Sequence, residues 1–173
     1  MKSRKLFVVV ILLISGRLLF GQQAKTPWEK WNWLVGEWVG EGNGQPGQSV
    51  GKFSFKKDLD GKILIRKNQT IFPATEKSAE TKHNDLLIIY PGSDVNTQEA
   101  IYFDNEGHTI KYIVGFNEKS IVLTSPVIPD MARFRLSYTA IDDKTVGISF
   151  EMASPQKPEE FKMYLEGKAS KVK

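Results

Sequence analysis

The chain offers few side chains for catalysis or metal binding, because it contains two histidines and no cysteine. His108 follows a tight turn whose Asp104 and Glu106 carry carboxylates. Three such groups within one turn can converge on a cation or form an acid–base pair. The alternative is an ordinary hairpin, in which the carboxylates accept turn hydrogen bonds and His108 begins a strand. The sequence favours the hairpin, since no second histidine is near, and it therefore predicts no metal site.

Serine-based catalysis would need a serine, a histidine and a carboxylate that meet in space. Ser125 and Ser137 are available, but neither lies in a Gly-X-Ser-X-Gly motif. His83, beside an aspartate at a predicted strand start, is a weaker candidate than His108. The sequence therefore predicts no catalytic set, and an enzyme centred on His108 with Asp104 stays as an alternative.

Arginine and tyrosine side chains on the predicted strands suggest a different chemistry, the recognition of a carboxylate. An arginine offers two parallel N–H donors to such a group. If Arg133 or Arg135 pointed inward with Tyr138 or Tyr164 nearby, the pair would hold an acidic head group. However, Phe134 and Tyr138 alternate with the two arginines. The plainer interpretation places the arginines outside and the apolar side chains inside, and both interpretations stay open.

Short strands must position all of these groups, because nearly the whole chain after residue 36 alternates between apolar and polar residues. The pattern predicts about ten strands, over residues 37–41, 50–57, 62–72, 85–90, 99–103, 108–116, 120–127, 132–140, 145–152 and 160–169. On the third of these, Ile63 and Ile65 are expected on the inner face, opposite Lys62 and Arg66. The connections are hairpin-sized, and no helix of ordinary length interrupts them, so parallel crossovers are not expected.

An antiparallel meander of this length tends to close, because closure removes exposed strand edges. We therefore predict an all-β fold, a single antiparallel up-and-down β-barrel of about 8–10 strands with a short N-terminal helical turn. A sandwich of two sheets is the alternative.

The N-terminus has the order of parts of a secretory signal peptide. A basic start precedes an apolar run over residues 6–15, which is shorter than the about 20 residues of a membrane-spanning helix. Gly21 and Ala24 are candidate cleavage positions. The predicted parts are a signal peptide over 1–21, a linker over 22–27 and a barrel domain over 28–173. We expect a secreted or periplasmic protein without a stable membrane anchor after cleavage, and the lack of cysteine argues against lipid modification.

The charge balance changes when the predicted signal peptide is removed. The whole chain has 24 basic and 20 acidic side chains, but four of the basic ones lie within residues 1–21. The mature chain is then neutral. This balance does not indicate nucleic acid or an anionic membrane as a partner.

The triplet Gly36-Glu37-Trp38, which follows the predicted helical turn, resembles the Gly-X-Trp signature of calycins, the group that contains lipocalins and fatty-acid-binding proteins. The resemblance implies that the turn closes one end of the barrel and that Trp38 plugs it. It also implies a basic side chain of the last strand over Trp38, in a cation–π contact. Lys168 is the first candidate for that contact and Lys171 the second.

The segment 34–42 is also similar to the opening of nitrobindin-like barrels and of uncharacterised secreted bacterial barrels. The similarity to the bacterial barrels extends to residues 100–108 and 133–138. Nitrobindin-like haem binding uses a histidine late in the chain, whereas no histidine follows His108 here. The resemblance therefore does not imply haem, and no cofactor is expected.

These observations predict a barrel that binds a small, largely hydrophobic, lipid-like ligand and is not catalytic. The expected ligand-binding side chains are Phe53, Phe55, Ile65, Leu87, Tyr112, Phe134, Arg135, Tyr138 and Phe150. One alternative is a hydrolase or isomerase on the same barrel, centred on His108. A second alternative is a closed structural or interaction module.

Overall fold

The computed structural model describes residues 28–41, 50–94 and 97–172. The predicted signal peptide and linker lie outside the described residues. One 3₁₀ turn precedes ten strands: Glu29–Trp31, then β1 Gly36–Gly40, β2 Val50–Asp58, β3 Ile63–Phe72, β4 Thr81–Pro91, β5 Gln98–Asp104, β6 Thr109–Phe116, β7 Ser120–Thr124, β8 Arg133–Ala140, β9 Thr145–Ala153 and β10 Lys162–Lys171. In the described part of the chain, no helix is long and apolar enough to cross a membrane.

The ten strands form one closed barrel in which each strand pairs antiparallel with the next along the chain. β10 returns to β1, where Trp38 lies opposite Lys171. This arrangement confirms the predicted all-β, up-and-down barrel, and the sandwich alternative is wrong. Closure pairs both strands that would otherwise be edges of the sheet.

The inner face of β3 differs from the prediction. Leu64 and Arg66 point inward and are buried, whereas Ile65 lies on the outer face, opposite Lys56 of β2 and Ile88 of β4. The expectation that Ile65 lines the lumen was therefore wrong. A shift of one residue in register moves every side chain of a strand to the other face.

The turn between β2 and β3 sets this register. Leu59, Asp60 and Gly61 have φ values of 48°, 54° and 77°, so three successive residues adopt the left-handed region. The backbone N–H groups of Gly61 and Lys62 both donate to the Asp58 carbonyl. The loop is thus longer than the two-residue turn that an Asp-Gly pair favours, and it places Ile63 opposite Asp58.

β4 begins four residues before its predicted start at residue 85. Thr81 pairs with Phe72, and His83 pairs with Thr70, so the polar residues 81–84 belong to the sheet. Cross-strand hydrogen bonding, rather than apolar alternation, extends the strand here. The extension places His83 in the barrel wall.

The N-terminal turn and β1 plug one end of the barrel. Trp31 and Leu34 are fully buried, and Trp38 is almost so. The indole N–H of Trp31 donates to Gln98 Oε1 at 2.7 Å, and that of Trp38 donates to the Leu34 carbonyl at 2.8 Å. Gly36 has a φ of 131°, which residues with a side chain rarely adopt, at the junction between the turn and β1.

The basic residue over the plug is Lys171, the second candidate, and not Lys168. Lys171 Nζ lies 5.2 Å from the centre of the Trp38 ring and donates to the Trp33 carbonyl at 2.9 Å. Lys168 is exposed and lies opposite Gly147 of β9. The register of β10 on β1 decides between them, because it sets Lys171 directly opposite Trp38.

Replacing Lys171 by Met tests this contact against the matched variant Lys168→Met. We expect K171M to lower the free energy of unfolding by about 1–2 kcal/mol, since it removes a cation–π contact and a charged hydrogen bond. K168M should change it by less than about 0.5 kcal/mol, as is usual at exposed positions. Urea denaturation measures both values, and equal losses would contradict the assignment.

Candidate functional site

The lumen is filled at the plugged end, and the described side chains that point inward are less buried toward the opposite end, which we call the mouth. The mouth holds the end of β3 at Phe72, the start of β4 at Thr81 and the hairpin 105–108 between β5 and β6. Near the plug, inward side chains such as Phe55 and Leu64 are fully buried. Toward the mouth the inward side chains are only half-buried, and they include Ile110, Phe134 and Phe150.

Seven of the nine predicted ligand-binding side chains point into the barrel: Phe53, Phe55, Leu87, Tyr112, Phe134, Tyr138 and Phe150. Phe134 and Phe150 stack near the mouth, with ring centres 5.9 Å apart and an interplanar angle of 8°. Phe55, Leu87 and Tyr138 are fully buried, so they belong to the filled part of the lumen. The two residues that do not point inward are Ile65 and Arg135.

Arg135 lies on the outer face of β8, so the prediction that it faces a ligand was wrong. Its Nε and Nη2 donate to Glu151 Oε2 and Oε1, both at 2.7 Å, and its guanidinium lies 4.2 Å from the centre of the Phe161 ring. The hydrogen bonds from Arg135 hold the pKa of Glu151 below its usual value. Arg133 also points outward, where it pairs with Glu159.

The arginine that does point inward is Arg66 of β3. Its Nη1 donates to Asp85 Oδ1 at 2.8 Å, and the two side chains are only 8% and 3% exposed. Its guanidinium carbon lies 5.6 Å from the Phe53 ring centre and 5.9 Å from that of Tyr138. Burial lowers the pKa of Arg66, but the influence of Tyr138 and Asp85 outweighs it and leaves the pKa raised, so the guanidinium stays charged.

Asp85 joins Arg66 to a group of polar side chains at the mouth. Asn68 Nδ2 donates to Asp85 Oδ2 at 2.8 Å, and His83 Nε2 lies 3.4 Å from the same oxygen. His83 Nε2 is also 3.0 Å from the Tyr102 hydroxyl. Burial, with the nearby carboxylates, raises the pKa of Tyr102 well above its usual value, so its phenol stays protonated.

The same series of contacts continues to the surface through Asp104. The Tyr102 hydroxyl donates to Asp104 Oδ2 at 3.3 Å, and that oxygen is 2.9 Å from His108 Nδ1. We call the six residues Arg66, Asp85, His83, Tyr102, Asp104 and His108 the polar chain. It runs from the centre of the lumen to the exposed hairpin.

Asp104 organises this hairpin. Its Oδ1 accepts the backbone N–H groups of Glu106 at 3.0 Å and His108 at 2.9 Å. Burial alone would raise the pKa of Asp104. The hydrogen bonds from His108 and Glu106 together have the larger, opposite effect, so the pKa is lowered overall. The hydrogen bond to Asp104 raises the pKa of His108.

The hairpin does not form a cation site. Glu106 turns away from His108, and its Oε1 lies 2.9 Å from His83 Nδ1. Within residues 28–41, 50–94 and 97–172, no group of three or more His, Asp or Glu side chains has a metal-binding arrangement. The contacts of residues 104–108 fit a hairpin whose backbone N–H groups are bound by Asp104 better than they fit a cation site.

The Asp104–His108 pair is the nearest arrangement to the alternative of an enzyme. His108 is 64% exposed, and its Nε2 has no hydrogen-bond partner in the part of the chain that the structure describes. Ser125 is buried elsewhere, where its hydroxyl accepts the Phe134 N–H at 2.8 Å. The described contacts thus orient a histidine but bring no serine to it.

Two polar atoms in the lumen have no hydrogen-bond partner among the described residues, Arg66 Nε and the Tyr138 hydroxyl. Burial raises the pKa of Tyr138 to about 12, so this hydroxyl stays protonated. Buried polar groups in folded proteins are almost always satisfied, and an exception calls for a ligand or an ordered water. These two atoms mark the candidate functional site.

No protein-family model and no curated protein matches the chain. The closed barrel of ten antiparallel strands is consistent with a calycin-like barrel.

Replacing Arg66 by Met should lower the free energy of unfolding by about 3–5 kcal/mol, because Asp85 would keep an uncompensated buried charge. Arg135→Met removes the same type of pair on the outer face and should cost less than about 1 kcal/mol. Urea denaturation of both variants gives the comparison. Similar losses would show that the position of Arg66 in the lumen has no energetic consequence.

The Asp104–His108 pair should appear in the titration of the two histidines by NMR. We expect the pKa of His108 above 6.5, and Asp104→Asn should return it toward that value, whereas Glu106→Gln should shift it less. Because the folded-state pKa of His108 is raised, its contribution to stability is complete below about pH 6.5 and is lost as pH rises through the raised pKa. The contribution of Asp104, whose pKa is lowered, is lost as pH falls from its usual pKa of 3.8 through the lowered one. An unshifted His108 in the native protein would exclude the pair in solution.

Proposed function

We propose that the protein is an exported, lipocalin-like barrel that binds a small, largely hydrophobic ligand in the mouth half of its lumen. The observation that carries this proposal is the incomplete burial of apolar side chains that point inward. The stacked rings of Phe134 and Phe150 and the side chain of Ile110 are only half-buried, although all three point into the lumen.

Apolar surface inside a lumen attracts an apolar ligand. Each Å² of such surface removed from water contributes roughly 25 cal/mol to binding. Ligand sites of this type are concave, mostly apolar and equipped with few polar groups. The wall near Phe134 and Phe150 supplies the apolar surface, and Arg66 and Tyr138 supply the polar groups deeper in the lumen.

The polar atoms favour binding over the alternative of a closed structural module. Such a module gains stability when its core is filled and its polar groups are paired. Arg66 Nε and the Tyr138 hydroxyl have no partner among the described residues, although both atoms are buried. A bound molecule could accept hydrogen bonds from both atoms. A closed, filled core would leave them unpaired.

The proposal is tested on the purified exported protein. Its denatured extract is analysed by mass spectrometry, and the native protein is titrated with the neutral apolar dye N-phenyl-1-naphthylamine. A stoichiometric co-purifying lipid, or saturable dye fluorescence that lipids displace, is the expected result. A clean extract together with no saturable dye binding would leave the closed module as the better description.

Filling the lumen should abolish dye binding. In Leu136→Trp, an indole occupies the space beside Phe134 and Phe150, and we expect at least about a tenfold loss of dye affinity. The matched control Thr139→Trp places an indole on the exposed outer face of the same strand and should bind the dye normally. Overpacking can itself destabilise by about 1–3 kcal/mol, so circular dichroism must show that L136W is folded. Normal dye binding by folded L136W would contradict the position of the site.

A further inference from the structure

We propose that the site selects a ligand whose polar end is an uncharged hydrogen-bond acceptor, the carbonyl oxygen of an ester, amide or ketone. Arg66 Nε–H and the Tyr138 hydroxyl would bind this oxygen. This inference rests on the proposed function and adds the chemical class of the ligand.

Arg66 and Tyr138 are neighbours inside the barrel. Arg66 is 7% exposed and Tyr138 is fully buried. The guanidinium carbon lies 5.9 Å from the Tyr138 ring centre, so the two side chains are direct neighbours. Arg66 of β3 and Tyr138 of β8 approach each other across the lumen, and both atoms lack a partner in the described structure. A ligand oxygen inserted between these two side chains would meet both atoms.

The ligand atom must accept hydrogen bonds. An arginine N–H is only a donor. The Tyr138 phenol, which burial keeps protonated, is free to donate as well. A carbonyl oxygen has two lone pairs and can accept from both. A hydrocarbon would leave both groups unpaired in the lumen.

The charge of the site argues against a carboxylate. Asp85 already compensates Arg66, at 2.8 Å and with 3% of its side chain exposed. A carboxylate ligand would add a second negative charge beside a single positive one, both of the paired side chains being buried. Burial of an uncompensated ion is costly, whereas a carbonyl group brings no charge.

The other groups near Arg66 and Tyr138 do not offer a second positive charge that would balance a carboxylate ligand. Burial raises the pKa of Tyr102 and of Tyr112 well above the usual value, so both phenols are neutral. Asn68, which donates to Asp85, is neutral. His83 lies between Asp85 and Glu106, so any positive charge on it faces two carboxylates before it faces a ligand.

The test is a competition for the lumen dye by four compounds of the same chain length: methyl dodecanoate, dodecanamide, dodecanoate and dodecane. We expect the ester and the amide to displace the dye at least about tenfold better than dodecanoate or dodecane. A preference for dodecanoate would overturn the inference. Equal displacement by all four would also overturn it, because it would mean that the polar atoms hold only water.

Two variants locate the selectivity. Tyr138→Phe should weaken displacement by the ester and the amide about tenfold and leave dodecane unchanged. Asp85→Asn removes the compensating charge, so dodecanoate should gain at least about tenfold over the ester. Glu151→Gln is the matched control, since it changes the equivalent carboxylate of the outer Arg135 pair and should leave the order of the compounds unaltered. If D85N does not fold, Y138F alone decides, and an unchanged order of compounds in it refutes the site.

Failure of this inference differs from failure of the proposed function. If neither the dye nor any of the four compounds binds, the lumen is not a ligand site and both proposals are wrong. If the dye and dodecane bind but the ester and amide have no advantage, the barrel still binds apolar ligands, and only the carbonyl selectivity is wrong.

Discussion

The pairing of β1 with β10 is the contact on which the closed lumen depends, because every other strand pair joins neighbours along the chain. It is short, with Trp38, Val39 and Gly40 opposite the last residues of β10. Two further backbone hydrogen bonds extend it, from the Glu41 N–H to the Lys168 carbonyl and from the Val172 N–H to that of Glu37. The tryptophan plug sits at this seam and adds packing that the few backbone bonds alone would not provide. The burial of the inward side chains near the plug follows from this closure.

A buried ion pair inside such a lumen needs an explanation other than stability. Arg66 with Asp85 and Arg135 with Glu151 are chemically alike, but the first pair has left water and the second has not. Desolvation makes a buried pair about as favourable as apolar side chains of the same volume, or less so. An apolar pair would fill the lumen as well, without unpaired atoms. Under the proposed function, Arg66 would supply a hydrogen-bond donor for the ligand, and Asp85 balances its charge.

The sequence predicted the fold well because strand alternation is a local signal that closure does not alter. It failed where local patterns carry no information on register. The segment 63–65 is apolar on both faces, so alternation could not decide whether Leu64 or Ile65 points inward, and the positive-φ turn before it did. The choice of Lys168 over Lys171 failed because the two strands involved lie more than a hundred residues apart. Arg66 was assigned to the outer face by the same shift in β3, and the polar start of β4 hid its partners. The sequence did contain a signal. Arg66 and Asn68 on β3 alternate in the same way as His83 and Asp85 on β4, as expected for polar residues on one shared face.

The polar chain connects the Arg66 guanidinium, deep in an apolar lumen, to the surface of the barrel. Asp104 fixes the hairpin through two backbone N–H groups, and contacts through Tyr102 and His83 connect it to Asp85. Asp85 then holds Arg66 by Nη1, and Nε has no hydrogen-bond partner among the described residues. The position of Arg66 is therefore connected to the surface hairpin by a series of polar contacts. The buried rings of Phe53 and Tyr138 add packing against the guanidinium. The barrel thus combines a hydrogen-bonded polar wall with an incompletely packed apolar one, and a ligand would lie between the two.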